Sequence, residues 1–144
     1  MIEQDTIRLL RECDAGVKMG ISSIQDVLGY THADGLRSCL SNCMSAHEKL
    51  EREIEKLLDS YHDDGKEPSP MAKGMSWVKT NAKLAMDGSD AAVADLMTNG
   101  CNMGIKSLSK YLNQYKAADE KSKDIAKRLI HLEEELTDDI RTFL

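Results

Sequence analysis

Apolar residues recur every three or four positions through four long segments of this chain, and neither of its two prolines, Pro68 and Pro70, falls inside them. The clearest run is Ile125, Leu129, Leu132, Leu136, Ile140 and Phe143; another is Ile7, Leu10, Val17, Ile21, Ile24 and Leu28. Such spacing lines up on one face of an α-helix but scatters over both faces of a strand. Each segment therefore reads as an amphipathic helix with one stripe to bury, and four stripes sharing one interior make an all-α four-helix bundle.

The breaks between stripes set the boundaries. The first helix is expected from about Asp5 or Thr6 to Leu28, with Gly29 ending it. Thr31 followed three residues later by Asp34 reads as a polar start for the second helix, which continues to about Ser60 or Tyr61. The stretch HDDGKEPSP at 62–70 is the one long connection. Beyond it, Met75, Trp77, Val78, Ala82, Leu84 and Ala85 suggest a short additional helix within that connection, with Trp77 as a packing anchor. Asp-Gly-Ser at 87–89 restarts the chain into a third helix over about 90–115, and Ala117-Ala118-Asp119 makes a second tight turn into the fourth. Gly100 and Gly104 suit close helix approach rather than ligand binding. Nothing in the pattern fixes whether the second and third helices run parallel or antiparallel.

At 144 residues, 41% of them hydrophobic, the chain is long enough for one substantial core and is expected to be a single domain, 1–144. Its 25 acidic and 19 basic residues leave a net charge of -6, which disfavours binding to a nucleic-acid backbone. No apolar run approaches membrane-spanning length and the amino terminus lacks a secretory pattern, so a cytoplasmic protein is expected. The four cysteines are then expected as thiols, because Cys39 and Cys43 lie one turn apart on a helix and no loop-rich disulfide framework surrounds them.

Chemistry concentrates on the second helix. Cys39, Cys43 and His47 follow one another at intervals of four, on the same stripe as Leu36, Leu40, Leu50, Ile54 and Leu58. Small buried thiols within a core explain that ladder, and so does a metal or redox site. With both turns placed as above, Cys13 is expected near the height of His47 and Cys101 in mid-helix. Cys13, Cys43, His47 and Cys101 then offer three thiolates and an imidazole, the donor types of tetrahedral zinc. Redox sensing needs an exposed cysteine with a lowered pKa. His131 lies off its stripe among charges and reads as surface, as do His32 and His62 near helix ends. Ser38, Ser41 and Ser45 have no third residue to complete a nucleophilic triad, and Gly29–Gly35 reads as a connection rather than a phosphate loop.

The segment SWVKTNAKLAM at 76–86, the stretch CNMGIKSLSKYLNQY at 101–115 and the helix pattern together resemble a bacterial ferritin-like four-helix-bundle family of unknown function, near the DUF2383-type proteins. The resemblance covers most of the chain. It implies a ferritin-like bundle and, by analogy with di-iron members of that fold, a carboxylate-rich centre using Glu-x-x-His pairs. Here the corresponding spacings read Met44-x-x-His47 and Arg128-x-x-His131, with Asp14 the one carboxylate near the first stripe, so an oxidoreductase of that kind is the third expectation. The first is a noncatalytic bundle serving interaction or assembly, as a homo-oligomer or with a protein partner. The second is the Cys/His zinc site.

Overall fold

The computed structural model describes residues 2–66 and 89–144. The expected short helix, and with it Trp77, lies outside the described residues. Four helices fill the remainder: α1 (Ile2–Leu28), α2 (Asp34–Ser60), α3 (Asp90–Gln114) and α4 (Glu120–Asp139), followed by a single 3₁₀ turn at Arg141–Phe143. The expected boundaries fall within a few residues of these throughout.

Helices α1 and α2 form one hairpin, and α3 and α4 the other. Around the bundle, α1 packs on α2, α2 on α4, α4 on α3 and α3 on α1; α1 and α4 also meet across one diagonal, while α2 and α3 make little contact across the other. The start of α2 lies beside the start of α3, since the Asp90 carboxylate accepts hydrogen bonds from His32 N at 2.8 Å and Ala33 N at 2.9 Å. Helices α2 and α3 are therefore parallel. Every neighbouring pair around the ring is antiparallel, which sets opposite helix dipoles side by side.

Asp90 also corrects one expectation. Thr31 does not start α2: its hydroxyl donates to Val27 O at 2.9 Å and closes α1. The residue before α2, Ala33, has no side chain able to cap it, so the free N–H groups turn to a carboxylate from the other hairpin. The opposite end mirrors this. In the α3–α4 turn, Ala117 N donates to Asp5 Oδ2 at 3.0 Å and Asp119 N to Thr6 Oγ1 at 2.8 Å. Each hairpin's turn is thus held by the first residues of the leading helix of the other. Helices α3 and α4 also carry their own caps, Ser89 to Ala92 N and Asp119 to Ser122 N.

The apolar interior divides into two clusters along the bundle axis. One, around Leu9, Leu10, Cys13, Val17, Leu50, Ile54, Leu58, Leu108, Ile125 and Leu129, fills the end with the α3–α4 turn. The other, around Ile24, Val27, Leu36, Leu40, Cys43, Val93, Met97, Cys101, Leu136 and Ile140, fills the end with the α1–α2 turn. Between them, at mid-height, lie His47 and Glu133. No described helix is long and apolar enough to cross a membrane.

Candidate functional site

His47 is the third residue of the Cys39–Cys43–His47 ladder, and the α2 stripe carries it into the bundle with only 1% of its surface exposed. Its ring lies against Gly20 of α1, where an added Cβ would stand 2.8 Å from both Cδ2 and Nε2. Only glycine leaves room for an imidazole at that height. One turn back on α2, the Cys43 carbonyl lies 2.9 Å from Nδ1 and the Cys43 Sγ 3.5 Å from it. A carbonyl only accepts, so Nδ1 carries a proton and donates it.

That assignment leaves Nε2 as the chemically open atom. It is buried and without a hydrogen-bond partner among the described residues. The nearest charge is Glu133 Oε1 of α4 at 3.5 Å. Glu133 is 8% exposed and packs on Gly104 of α3, where an added Cβ would lie 3.4 Å from the carboxyl group. Cys101 of α3, 3% exposed, lies near enough to the same carboxylate for Glu133 to raise its thiol pKa. The centre thus draws Cys43 and His47 from α2, Cys101 from α3 and Glu133 from α4, with Gly20 of α1 as its fourth wall.

Burial works against a charged His47, but the contacts of Cys43 at Nδ1 and then the Glu133 charge facing Nε2 outweigh it and push the imidazole up to about 10. The direction of that shift favours a proton on Nε2, which faces the Glu133 carboxylate at 3.5 Å. Cys101 is driven well above the ordinary thiol range, first by burial and then by the Glu133 charge. It is a neutral thiol in this state.

Three of the four residues read from the sequence as metal ligands, Cys43, His47 and Cys101, come to one height. Cys13 does not stand at the height of His47. It belongs to the other core cluster, with Ile54 among its members, and seven residues of helix separate it from Gly20, roughly 10 Å at 1.5 Å per residue. There burial pushes its thiol up to about 12, with the charges of Glu12 and Asp14 adding to the effect. All four cysteines are unpaired; Cys39, the only one not fully buried, has its pKa raised by burial and by Asp139. His131 is exposed, as read from the sequence. Asp14 is buried but committed elsewhere: its Oδ2 accepts from Lys18 Nζ at 2.9 Å and from Lys66 N at 3.0 Å, tying down the start of the long connection.

Glu133 is the residue the sequence reading missed. It follows Leu129 by four and precedes Leu136 by three, a stripe position that the run HLEEEL hides among exposed acids. It supplies the cluster's one carboxylate among the described residues, so the oxygen-rich set of a di-iron centre is not assembled here. Among the described residues, no group of three or more His, Cys, Asp or Glu side chains is already placed to hold a metal ion. Comparison of the chain with protein-family models, with curated proteins and with solved structures finds no match.

Proposed function

We propose that this chain is a ferritin-like bundle with a noncatalytic role in assembly, pairing with a second copy of itself through α3. The observation that carries the reading is the closure of the centre. Cys43, His47, Cys101 and Glu133 are each less than a tenth exposed, so what the described residues offer a partner is helix surface. The parallel α2 and α3 joined by a long crossover support the ferritin-like assignment.

The outer face of α3 is the surface best suited to a negatively charged chain meeting its own copy. Its exposed row Asp95, Asn99, Asn102, Met103, Lys106 and Lys110 holds one acid and two bases, with Met103 61% exposed. A two-fold axis between Asn102 and Met103 sets Asp95 of one copy against Lys110 of the other and buries both methionines at the centre. Between α2 and α4, by contrast, Arg128 pairs with Glu53 in two hydrogen bonds of 3.0 and 2.7 Å. Sedimentation equilibrium across a concentration series tests the reading. The wild type is expected to dimerise and Met103→Glu to remain monomeric; a wild type that is monomeric throughout would overturn it.

A further inference from the structure

The interior centre holds a second capacity, independent of any assembly through α3. Its Nδ1 donates to a backbone carbonyl, which is how a metal-binding histidine is commonly fixed in the tautomer that presents Nε2 to an ion. Here Nε2 is buried, has no hydrogen-bond partner among the described residues, and faces a carboxylate. Beside that carboxylate is a thiol, and thiol, imidazole and carboxylate are the three protein donor types that zinc accepts.

We propose that His47 Nε2, Glu133 and Cys101 bind one divalent cation of the zinc class, with the Cys43 carbonyl orienting the imidazole. The separation of 3.5 Å between Nε2 and Oε1 is close to the distance between two ligands on a tetrahedral ion, roughly 3.3–3.4 Å for bonds of about 2.0–2.1 Å. The third donor arrives when Cys101 turns its sulfur from Glu133 to the ion. The charges also balance. One thiolate, one carboxylate and a neutral imidazole cancel a doubly positive ion, so the loaded centre is as neutral as the imidazolium, carboxylate and thiol it replaces. Loading releases two protons, one from Nε2 and one from Cys101.

Cys43 and Cys13 are excluded from this set. Cys43 lies on the Nδ1 side of the ring, and Cys13 belongs to the other core cluster. A site containing sulfur and nitrogen favours zinc or cobalt over magnesium or calcium. It also differs from a carboxylate-rich two-metal centre in offering a single carboxylate, Glu133, among the described residues.

Cobalt(II) titrated into the reduced, chelator-treated full chain is the test, read by visible and near-ultraviolet absorption. One equivalent with tetrahedral bands and a thiolate-to-cobalt charge-transfer band is expected, displaced by zinc. Cys101→Ser should abolish the charge-transfer band, and Cys13→Ser and Cys43→Ser should keep it. No binding at millimolar cobalt or zinc, or a charge-transfer band surviving in Cys101→Ser, would overturn the site. X-ray absorption of the zinc-loaded wild type needs no variant to fold. One sulfur at about 2.3 Å with nitrogen and oxygen at about 2.0–2.1 Å supports the assignment, whereas two sulfurs or none refutes it.

Discussion

Replacing Gly20 with alanine should destabilise the protein, although the same change at most helix-interior glycines stabilises. In the middle of α1, Gly→Ala gains about 1 kcal/mol from reduced backbone entropy in the unfolded chain. At Gly20 the new Cβ would lie 2.8 Å from two atoms of the His47 ring, whereas ordinary contacts begin at 3.4 Å. The ring must retreat by about 0.6 Å, yet it is tied to the Cys43 carbonyl at 2.9 Å and set against Glu133 at 3.5 Å. Overpacking of this kind costs about 1–3 kcal/mol, so the expected net loss is about 1 kcal/mol or somewhat more, a fall of roughly 3–6 °C in Tm for a chain of this size. Urea denaturation of four proteins isolates the cause: wild type, Gly20→Ala, the double variant His47→Ala/Glu133→Gln, and the triple variant. Once the ring is gone, Gly20→Ala should reverse sign and stabilise by about 1 kcal/mol. Gly16, one turn before Gly20 on the same face of α1 but meeting only Leu129 Cδ2 at 3.6 Å, serves as the control and should stabilise in both backgrounds. A stabilising Gly20→Ala in the wild-type background would refute the claim that His47 is pinned.

Glu133→Gln should cost about 1–3 kcal/mol at neutral pH, because the buried imidazole loses the carboxylate it faces and goes over to its neutral form. The raised His47 pKa, to which Cys43 contributes first and Glu133 second, gives that loss a pH signature: the stability it supplies is complete below the unfolded value of 6.5 and is lost as pH rises through about 10. The alkaline decline in urea stability seen for wild type should therefore flatten in Glu133→Gln. Asp90→Ala removes both hydrogen bonds at the start of α2 and should lower Tm; since Asp90 has its pKa depressed, mainly by the His32 N–H, its contribution is present above about 3.8 and is lost as pH falls through the depressed value. Gly65→Ala should destabilise strongly and raise amide exchange at Lys66, because Gly65 has φ of 84° and a Cβ there would collide with the Asp14 carboxylate.

The helices were legible because their signal is local. Four stripes of period 3.6 and the breaks at Gly29, Ser89 and Ala117–Asp119 place α1 to α4 without knowledge of their neighbours. The caps were less so. Thr31 and Asp34 looked like the start of α2 because local capping is the common solution, whereas the donor groups here reach a carboxylate 57 and 58 positions away in the chain. A carboxylate at the start of one helix gives no hint in the sequence that it serves the start of another.

The centre was half visible for the same reason. Cys43 and His47 share a helix, so their proximity follows from a spacing of four. Cys13 and Cys101 depend on how far one helix slides along another, and that register is set by contacts such as Gly20 on His47 and Gly104 on Glu133. In α4, positions 132 and 133 both border the stripe, and apolar character favours Leu132 as the inward residue. The structure buries Glu133 more deeply because a partner exists for it: His47 stands at its height, and glycines on α1 and α3 leave space for both side chains. A glutamate at a core position is costly alone and tolerable as one half of a pair. The two halves lie 86 positions apart on helices whose relative direction is hidden by the long connection. The pairing therefore becomes readable only once Asp90 has shown α2 and α3 to be parallel, which places α4 antiparallel to α2 and His47 opposite Glu133.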